Sequence, residues 1–357
     1  MESLRYIKFN DVNFDDPFFD SLKNDYEHGF LDWIKKKSES KVDYAYVLYD
    51  ENNSIDGFMY LKIESESVTD VSPPLPNKKH LKVGTFKFNP KGTLRGQRFL
   101  KKIFDHALID KVDDIYVTVF NKHRYLIKLF QMYGFIIKGE KTSANGTEHV
   151  LVRDFTKHDL TGEFLSDYPY INMKSGQSVH LLSIYPDYHT RLFPDSKLVT
   201  ESPDIIKDIS HANSIRKIYI CRMDAVTHMR TGDVIVIYRT SDKPGQAYYR
   251  SVATSLCVVE EVRHIDSFDT EQKFIEYSAR YSVFTEAELK EFYRHKKYPY
   301  IISFSYNIAL PKRLTREKLI NNIGLNQRAY WGVMSLSRHE FESIIRLSEV
   351  DESIIVN

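Results

Sequence analysis

The sequence predicts a mixed α/β domain over residues 1–155, a linker over 156–174 and a β-rich domain with short helices over 175–357. Three observations predict it. Apolar patterns of helix period and strand period alternate through the first 155 residues, which is how a mixed α/β chain buries both kinds of element. After Ser175-Gly176, strand-length runs rich in Val, Ile and Tyr dominate. Between them lies a polar and aromatic stretch with a Tyr168-Pro169 pair. A chain of 357 residues is long enough to build two cores.

The elements follow in order. Residues 18–37 carry Phe19, Leu22, Tyr26, Phe30, Leu31 and Ile34 at helical spacing. Residues 43–49 and 55–64 are strand-type runs separated by Glu51-Asn52-Asn53-Ser54, a turn by composition, so they form a hairpin. The Pro-rich segment 72–77 is a loop, because proline removes ladder donors. Strand 81–88, helix 99–108, strand 115–120, helix 125–132 and strands 135–140 and 149–154 complete the first domain. In the second, 179–184, 217–222, 233–239, 248–262 and 300–307 read as strands. Residues 285–295, 315–321 and 338–347 read as helices, the first opened by a Thr285/Glu288 capping box.

Composition narrows the function classes. Hydrophobic residues make up 42% and charged residues 28%, ordinary for a soluble globular protein. A formal net charge of +1 provides no global field toward nucleic acid or membrane, so such a partner would need a local basic patch. The aromatic content of 13% fits strand and core packing. Cys221 and Cys257 lie in apolar runs and read as buried, inert thiols, and no Cys/His cluster points to a metal. The first residues lack the pattern of a signal peptide, and no apolar run reaches the ~18 residues of a membrane span. The expected compartment is the cytoplasm. Asn145-Gly146-Thr147 is read as a turn.

Two motifs carry chemistry. Strand 81–88 runs into Asn89-Pro90 and a basic loop, Lys91-Gly92-Thr93-Leu94-Arg95-Gly96-Gln97-Arg98, that opens a helix. A loop entering a helix N-terminus offers clustered N–H groups and positive potential to a pyrophosphate. Strand 115–120 then leads through Asn121 into a helix ending Leu129-Phe130-Gln131-Met132-Tyr133-Gly134-Phe135. Gly134 fits a helix C-cap, where positive φ is wanted.

This order over about 75 residues resembles the GNAT family of acyl-coenzyme A-dependent N-acetyltransferases. In the family's Arg/Gln-x-x-Gly-x-Gly/Ala loop, Arg95 matches the first position and Gly96 follows it, while Arg98 and Leu100 replace the two signature glycines. The resemblance implies an acetyl-coenzyme A substrate, or another acyl-coenzyme A. It would lie against Phe86 and Phe88, against Arg95, Gly96, Gln97, Arg98, Phe99 and Leu100, and against Asn121 and Phe130. An N–H near Phe88 would polarise the thioester carbonyl. Many members use a Tyr as the acid for the leaving thiolate; here that position is Phe130, which cannot donate. Tyr133, Tyr125 and His123 lie nearby in other helical phases, and Tyr133 is taken as the candidate acid. Glu64, at the end of the second hairpin strand, is the candidate base, directly or through water. Asp56 is a weaker one.

Residues 178–265 resemble the PUA-like β-barrels, in particular the ASCH group, through Leu181-Leu182-Ser183-Ile184-Tyr185-Pro186, Gly232-Asp233 and the Val-rich strand after it. Of that group's Gly-x-Lys-x-x-Glu pattern, Lys197 and Glu201 remain. The resemblance implies RNA or modified bases as partners. Arg216, Lys217, Arg222, Arg239 and Tyr248 are the candidate contacts, since basic groups neutralise phosphates and tyrosines stack on bases. The alternative is that they form the solvent face of a sheet. His211-Ala212-Asn213 reads as a pocket lining or a plain turn.

The sequence thus supports an acetyl-coenzyme A-dependent N-acetyltransferase whose amine acceptor, such as an RNA-linked amine, is presented by the second domain. A non-catalytic nucleic-acid-binding or regulatory protein on a degenerate GNAT scaffold is the alternative, and a toxin-like acetyltransferase acting on translation is a third reading. Neither the acceptor nor the oligomeric state is legible.

Overall fold

The structure is a computed structural model describing residues 3–40, 42–89, 94–158, 160–174, 176–193 and 214–357. The chain divides into two compact units between Tyr168 and Pro169. Tyr168, inside the stretch read as a linker, packs on Phe104 and Tyr133 of the first unit.

The first unit is built on a seven-stranded sheet of order β1-β2-β3-β4-β5-β7-β6. Its strands are β1 (Ser3–Lys8), β2 (Tyr44–Tyr49), β3 (Ile55–Glu64), β4 (His80–Phe88), β5 (Asp114–Phe120), β6 (Ile136–Ser143) and β7 (Gly146–Asp154). Its helices are α1 (Asp20–Asp25), α2 (Phe30–Ser38), α3 (Arg95–Ile109) and α4 (Arg124–Met132). β4 and β5 pair in parallel and every other neighbouring pair is antiparallel. The helix expected over 18–37 is two helices, because Gly29 takes a φ of +101° between them. β1, which lacks a strong apolar run, is added at the edge against β2. α3 begins at Arg95, four residues before the apolar stretch that announced it.

The sheet separates the helices into two layers. Phe18 and Phe19 before α1, Leu22 of α1 and Phe30 of α2 share a core with Phe9, Phe58 and Tyr60. On the other face Phe99 of α3 meets Phe86 of β4, and Phe130 of α4 meets both Phe86 and Phe135. Two glycines permit this second layer. A Cβ on Gly57 would lie 2.7 Å from the Phe99 ring, and one on Gly96 would lie 2.7 Å from Leu129 and 3.0 Å from Phe88.

The second unit contains a six-stranded sheet of order β10-β13-β12-β11-β9-β14 and a two-stranded pair of β8 and β15. The strands are β8 (Ile171–Asn172), β9 (Val179–Ile184), β10 (Arg216–Cys221), β11 (Val234–Arg239), β12 (Val252–His264), β13 (Tyr300–Thr315), β14 (Val333–Leu336) and β15 (Ile355–Val356). The helices are α5 (Pro186–Leu192), α6 (Ala247–Arg250), α7 (Glu271–Ala279), α8 (Glu286–His295), α9 (Arg316–Lys318) and α10 (Arg338–Leu347). The expected closed barrel is corrected: among the described residues the sheet is open, with β10 bonded only to β13 and the four-residue β14 bonded only to β9. The strand read from 248 starts at Val252, because Ala247–Arg250 coils into a helical turn. α8 and α10 each open with a full capping box, Thr285 with Glu288 and Ser337 with Glu340. Cys221 and Cys257 are buried free thiols, and burial pushes Cys221 up to about 12.

Among the described residues, no helix is long and apolar enough to cross a membrane, and no group of three or more His, Cys, Asp or Glu could hold a metal ion.

Gly134 ends α4 with a φ of +76°, and a Cβ there would lie 2.6 Å from the Ser166 carbonyl oxygen and from the Arg153 guanidinium. Gly134→Ala is therefore expected to lower the stability of the first unit by about 2 kcal/mol, read as a lower midpoint in urea denaturation.

Candidate active site

The site begins with one extra residue. On β4, Thr85 is opposite Tyr60 of β3 and Val83 is opposite Leu61, so Gly84 is a bulge with no partner on β3. A Cβ at Gly84 would lie 2.9 Å from the Tyr60 ring, which leaves no room for a larger residue without movement. On its other edge β4 pairs with β5 only from His80↔Asp114 to Val83↔Val117. Beyond the bulge the two parallel strands part. The paired end is clamped by a buried contact, His80 Nδ1 to Asp114 Oδ1 at 2.5 Å, with His80 Nε2 2.9 Å from the Pro76 carbonyl oxygen.

The parted ends enclose a cleft of about 410 Å³ lined by 83–88 of β4, 117–120 of β5, and residues of α1 and α4. A strand edge without a ladder partner presents N–H and C=O groups to whatever enters. Strand alternation gives the cleft two unlike sides. Toward α3 and α4 lie Phe86, Phe88, Leu126 and Phe130, an apolar wall in which the Phe88 ring also approaches that of Tyr125. Toward α1 lie Ser21, Asp25, Tyr26, Lys87 and His123.

That second side is polar and charged. Asp25, the last residue of α1, accepts from His123 Nε2 at 2.7 Å and from Lys122 Nζ at 2.5 Å. Burial alone would raise the Asp25 carboxyl, but these two hydrogen bonds and the charges behind them hold it below the usual carboxylate range. Lys87 donates to the Phe18 carbonyl oxygen and to Ser21 Oγ, the latter at 2.6 Å, and burial lowers its ammonium below the ordinary lysine range. The Tyr26 hydroxyl donates to Glu148 Oε1 at 2.6 Å; burial first and then this carboxylate push its pKa up, so it stays protonated.

The sequence-predicted residues are distributed as follows. Phe86, Phe88 and Phe130 line the cleft. Phe99 and Leu100 are buried in the packing of α3 on the sheet, and Gly96 has no room for a side chain between α3, Leu129 and Phe88. Gln97 is in the first turn of α3, with its Oε1 buried. Arg95 is 2% exposed and pairs with Asp56 at 2.6 Å, while also donating to the Asn89 carbonyl oxygen at 3.2 Å. Asn89 in turn donates to Asp56 Oδ1 at 2.8 Å. Arg98 is 3% exposed. Asn121 is exposed at the end of β5. Lys91, Gly92 and Thr93 of the loop, and Pro90 before it, lie outside the described residues.

Neither candidate catalyst is brought to the cleft. Glu64 pairs in register with His80 at the opposite end of β4. There it accepts from the Tyr116 hydroxyl and Lys62, and burial, which would raise it, is outweighed by these donors and Lys82. Tyr133 is wholly buried between Phe104 and Tyr168. The residues that sequence reading missed are Asp25, Tyr26 and Lys87. Lys87 had a signal, since it alternates with Phe86 and Phe88 on one strand. Asp25 had none, because its partner His123 is 98 residues away.

In the second unit the basic candidates are not gathered on one face. Lys217 is wholly buried, 5.6 Å from the centre of the Tyr306 ring. Arg216 is paired with Glu260. Cys221, just before Arg222, shares a row of the sheet with Tyr300 and His264 at one end of β12, whereas Arg239 is opposite Val252 at the other. Tyr248 accepts from Asn321 Nδ2 at 3.0 Å and meets Tyr249 edge-on. Arg222 borders a small hollow of about 140 Å³ with Tyr185, Tyr188, Tyr219 and Tyr298. Lys197, Glu201 and 211–213 lie outside the described residues.

No protein-family model matches the sequence, and no curated protein matches it. Solved structures similar to part of the chain include ASCH from Zymomonas mobilis, at 10% identity and a TM-score of 0.30, covering 47% of this chain and 94% of that one. They include the acetyltransferase of the GNAT family from Streptococcus pneumoniae, at 13% identity and a TM-score of 0.30, covering 43% and 99%. Spermidine N-acetyltransferase from Vibrio cholerae, in complex with CoA and spermine, is similar at 13% identity and a TM-score of 0.31, covering 43% and 95%.

Removing Asp56 would leave the Arg95 guanidinium buried without its carboxylate. Asp56→Ala is expected to destabilise the first unit by about 3–5 kcal/mol in urea denaturation.

Proposed function

We propose that the first unit transfers an acyl group, acetyl in the simplest case, from acyl-coenzyme A to an amine. One observation carries the reading: β4 and β5 part at the Gly84 bulge and leave a cleft walled by the β4 edge and an aromatic face. An extended amide-bearing arm suits such a slot, because its amides can pair with the strand edge while its methylenes lie on Phe86, Phe88 and Phe130. A β4 N–H in this edge would stabilise the negative charge that develops on the thioester oxygen as an amine attacks. The amine would arrive from the α1 side, where the polar groups are.

Phe130 contributes area to this wall and no proton. The thiolate would therefore take its proton from the reacting amine or from water. Arg95 holds the start of α3 against β3 and the end of β4 through Asp56 and Asn89, which supports a positioning role for it. The lack of a proton donor at Phe130 favours a second reading, in which the coenzyme binds and is not turned over. The placement of Arg216, Lys217, Arg222, Arg239 and Tyr248 adds no support to an RNA-linked acceptor.

Titration calorimetry with acetyl-coenzyme A is expected to give binding at or below about 1 mM. Val119→Trp, which would fill the cleft from the β5 side, is expected to weaken it at least roughly tenfold. Absence of binding to the unaltered chain overturns the reading; binding without thiol release in the presence of amines leaves the second one.

A further inference from the structure

We propose that His123 is the base that deprotonates the acceptor amine, with Asp25 as its positioning residue; this deepens, and rests on, the acyl-transfer reading above. Both residues line the cleft on its α1 side, opposite the aromatic wall. His123 precedes α4 directly, and its side chain is 40% exposed, so a substrate can reach it. The 2.7 Å contact to Asp25 engages Nε2. A carboxylate only accepts, so in the neutral ring Nε2 carries the proton and Nδ1 keeps the lone pair. Asp25 is itself fixed by Lys122 on its other oxygen. A base held in one tautomer and one orientation by a third group is the arrangement that nucleophile activation requires.

The other titratable groups of the cleft are unsuited to the task. Lys87 donates to Phe18 and Ser21, the Tyr26 hydroxyl donates a hydrogen bond to Glu148, Lys122 donates to Asp25, Arg124 carries a guanidinium, and Tyr125 lies on the aromatic side against Phe88.

The step balances as follows. An acceptor ammonium gives one proton to His123 Nδ1 and becomes a neutral amine. The amine lone pair forms a C–N bond at the thioester carbon, and the C–S bond breaks with its electron pair remaining on sulfur. The second proton shed by nitrogen passes to that sulfur, giving the free thiol and the amide. The proton on His123 returns to solvent.

The test uses the full chain, acetyl-coenzyme A, and two amines of opposite need for a base. Ethylamine is protonated at neutral pH, whereas hydroxylamine is already a free nucleophile. Thiol release is followed for the unaltered chain and for His123→Ala, His123→Gln and Asp25→Asn, with calorimetry of acetyl-coenzyme A binding and circular dichroism for each. The expected result is a fall in kcat with ethylamine of roughly 100-fold in all three variants. Hydroxylamine turnover and the KM for acetyl-coenzyme A should be largely unchanged. Equal loss with both amines, or no loss with ethylamine, overturns the role of His123. Coenzyme binding without thiol release from either amine also overturns it, while leaving the donor cleft standing. No coenzyme binding by the unaltered chain removes the acyl-transfer reading itself.

Discussion

The parting of two parallel strands is the constraint on which the first unit depends. β4 and β5 are held together at one end by the ladder and by the buried His80–Asp114 contact. At the other end they cannot pair, because the Gly84 bulge bends β4 away. Antiparallel partners on the outer edges, β3 on one side and β7 on the other, keep both strands in the sheet while their inner edges diverge. The cleft is therefore a consequence of sheet geometry.

What keeps the opening from collapsing is packing on both faces. Phe86, Phe88, Phe99 and Phe130 fill the α3/α4 side with tilted and edge-on ring contacts, which close-packed aromatic groups prefer. On the α1 side, Lys87 is tied to Phe18 and Ser21. The Arg95–Asp56–Asn89 network then fixes where β4 ends and α3 begins. A buried ion pair adds little net stability over a well-packed apolar substitute, but it is costly to break from one side, so it is well suited to holding a geometry.

The second unit follows a different logic. Its long strands β12 and β13 cross the middle of an open sheet, with Leu182, Ile235, Cys257 and Phe304 in one core and Ile218, Phe274, Leu289 and Ile301 in another. This explains why its basic residues do not form one surface. Successive side chains of the edge strand β10 turn to opposite faces of the sheet, and Lys217 falls inside while Arg216 meets Glu260. Composition reported their abundance; burial and register decided their positions.

The sequence by itself determined most elements of the first unit, the cap at Gly134 and the aromatic face of the cleft. Each depends on local preference or on the period of a single element: Phe86 and Phe88 alternate on one strand, and Gly134 follows the last turn of α4. It also carried the order of elements that pointed to an acyl donor. It did not show that Gly29 would split one helix into two, that the second sheet would stay open, or that Glu64 and Tyr133 would lie away from the cleft. The tertiary structure alone decided the charged side of the site. Asp25 and His123 meet only because α1 is laid across the ends of β4 and β5, and a hydrogen bond between residues 98 apart leaves no periodic trace in the chain.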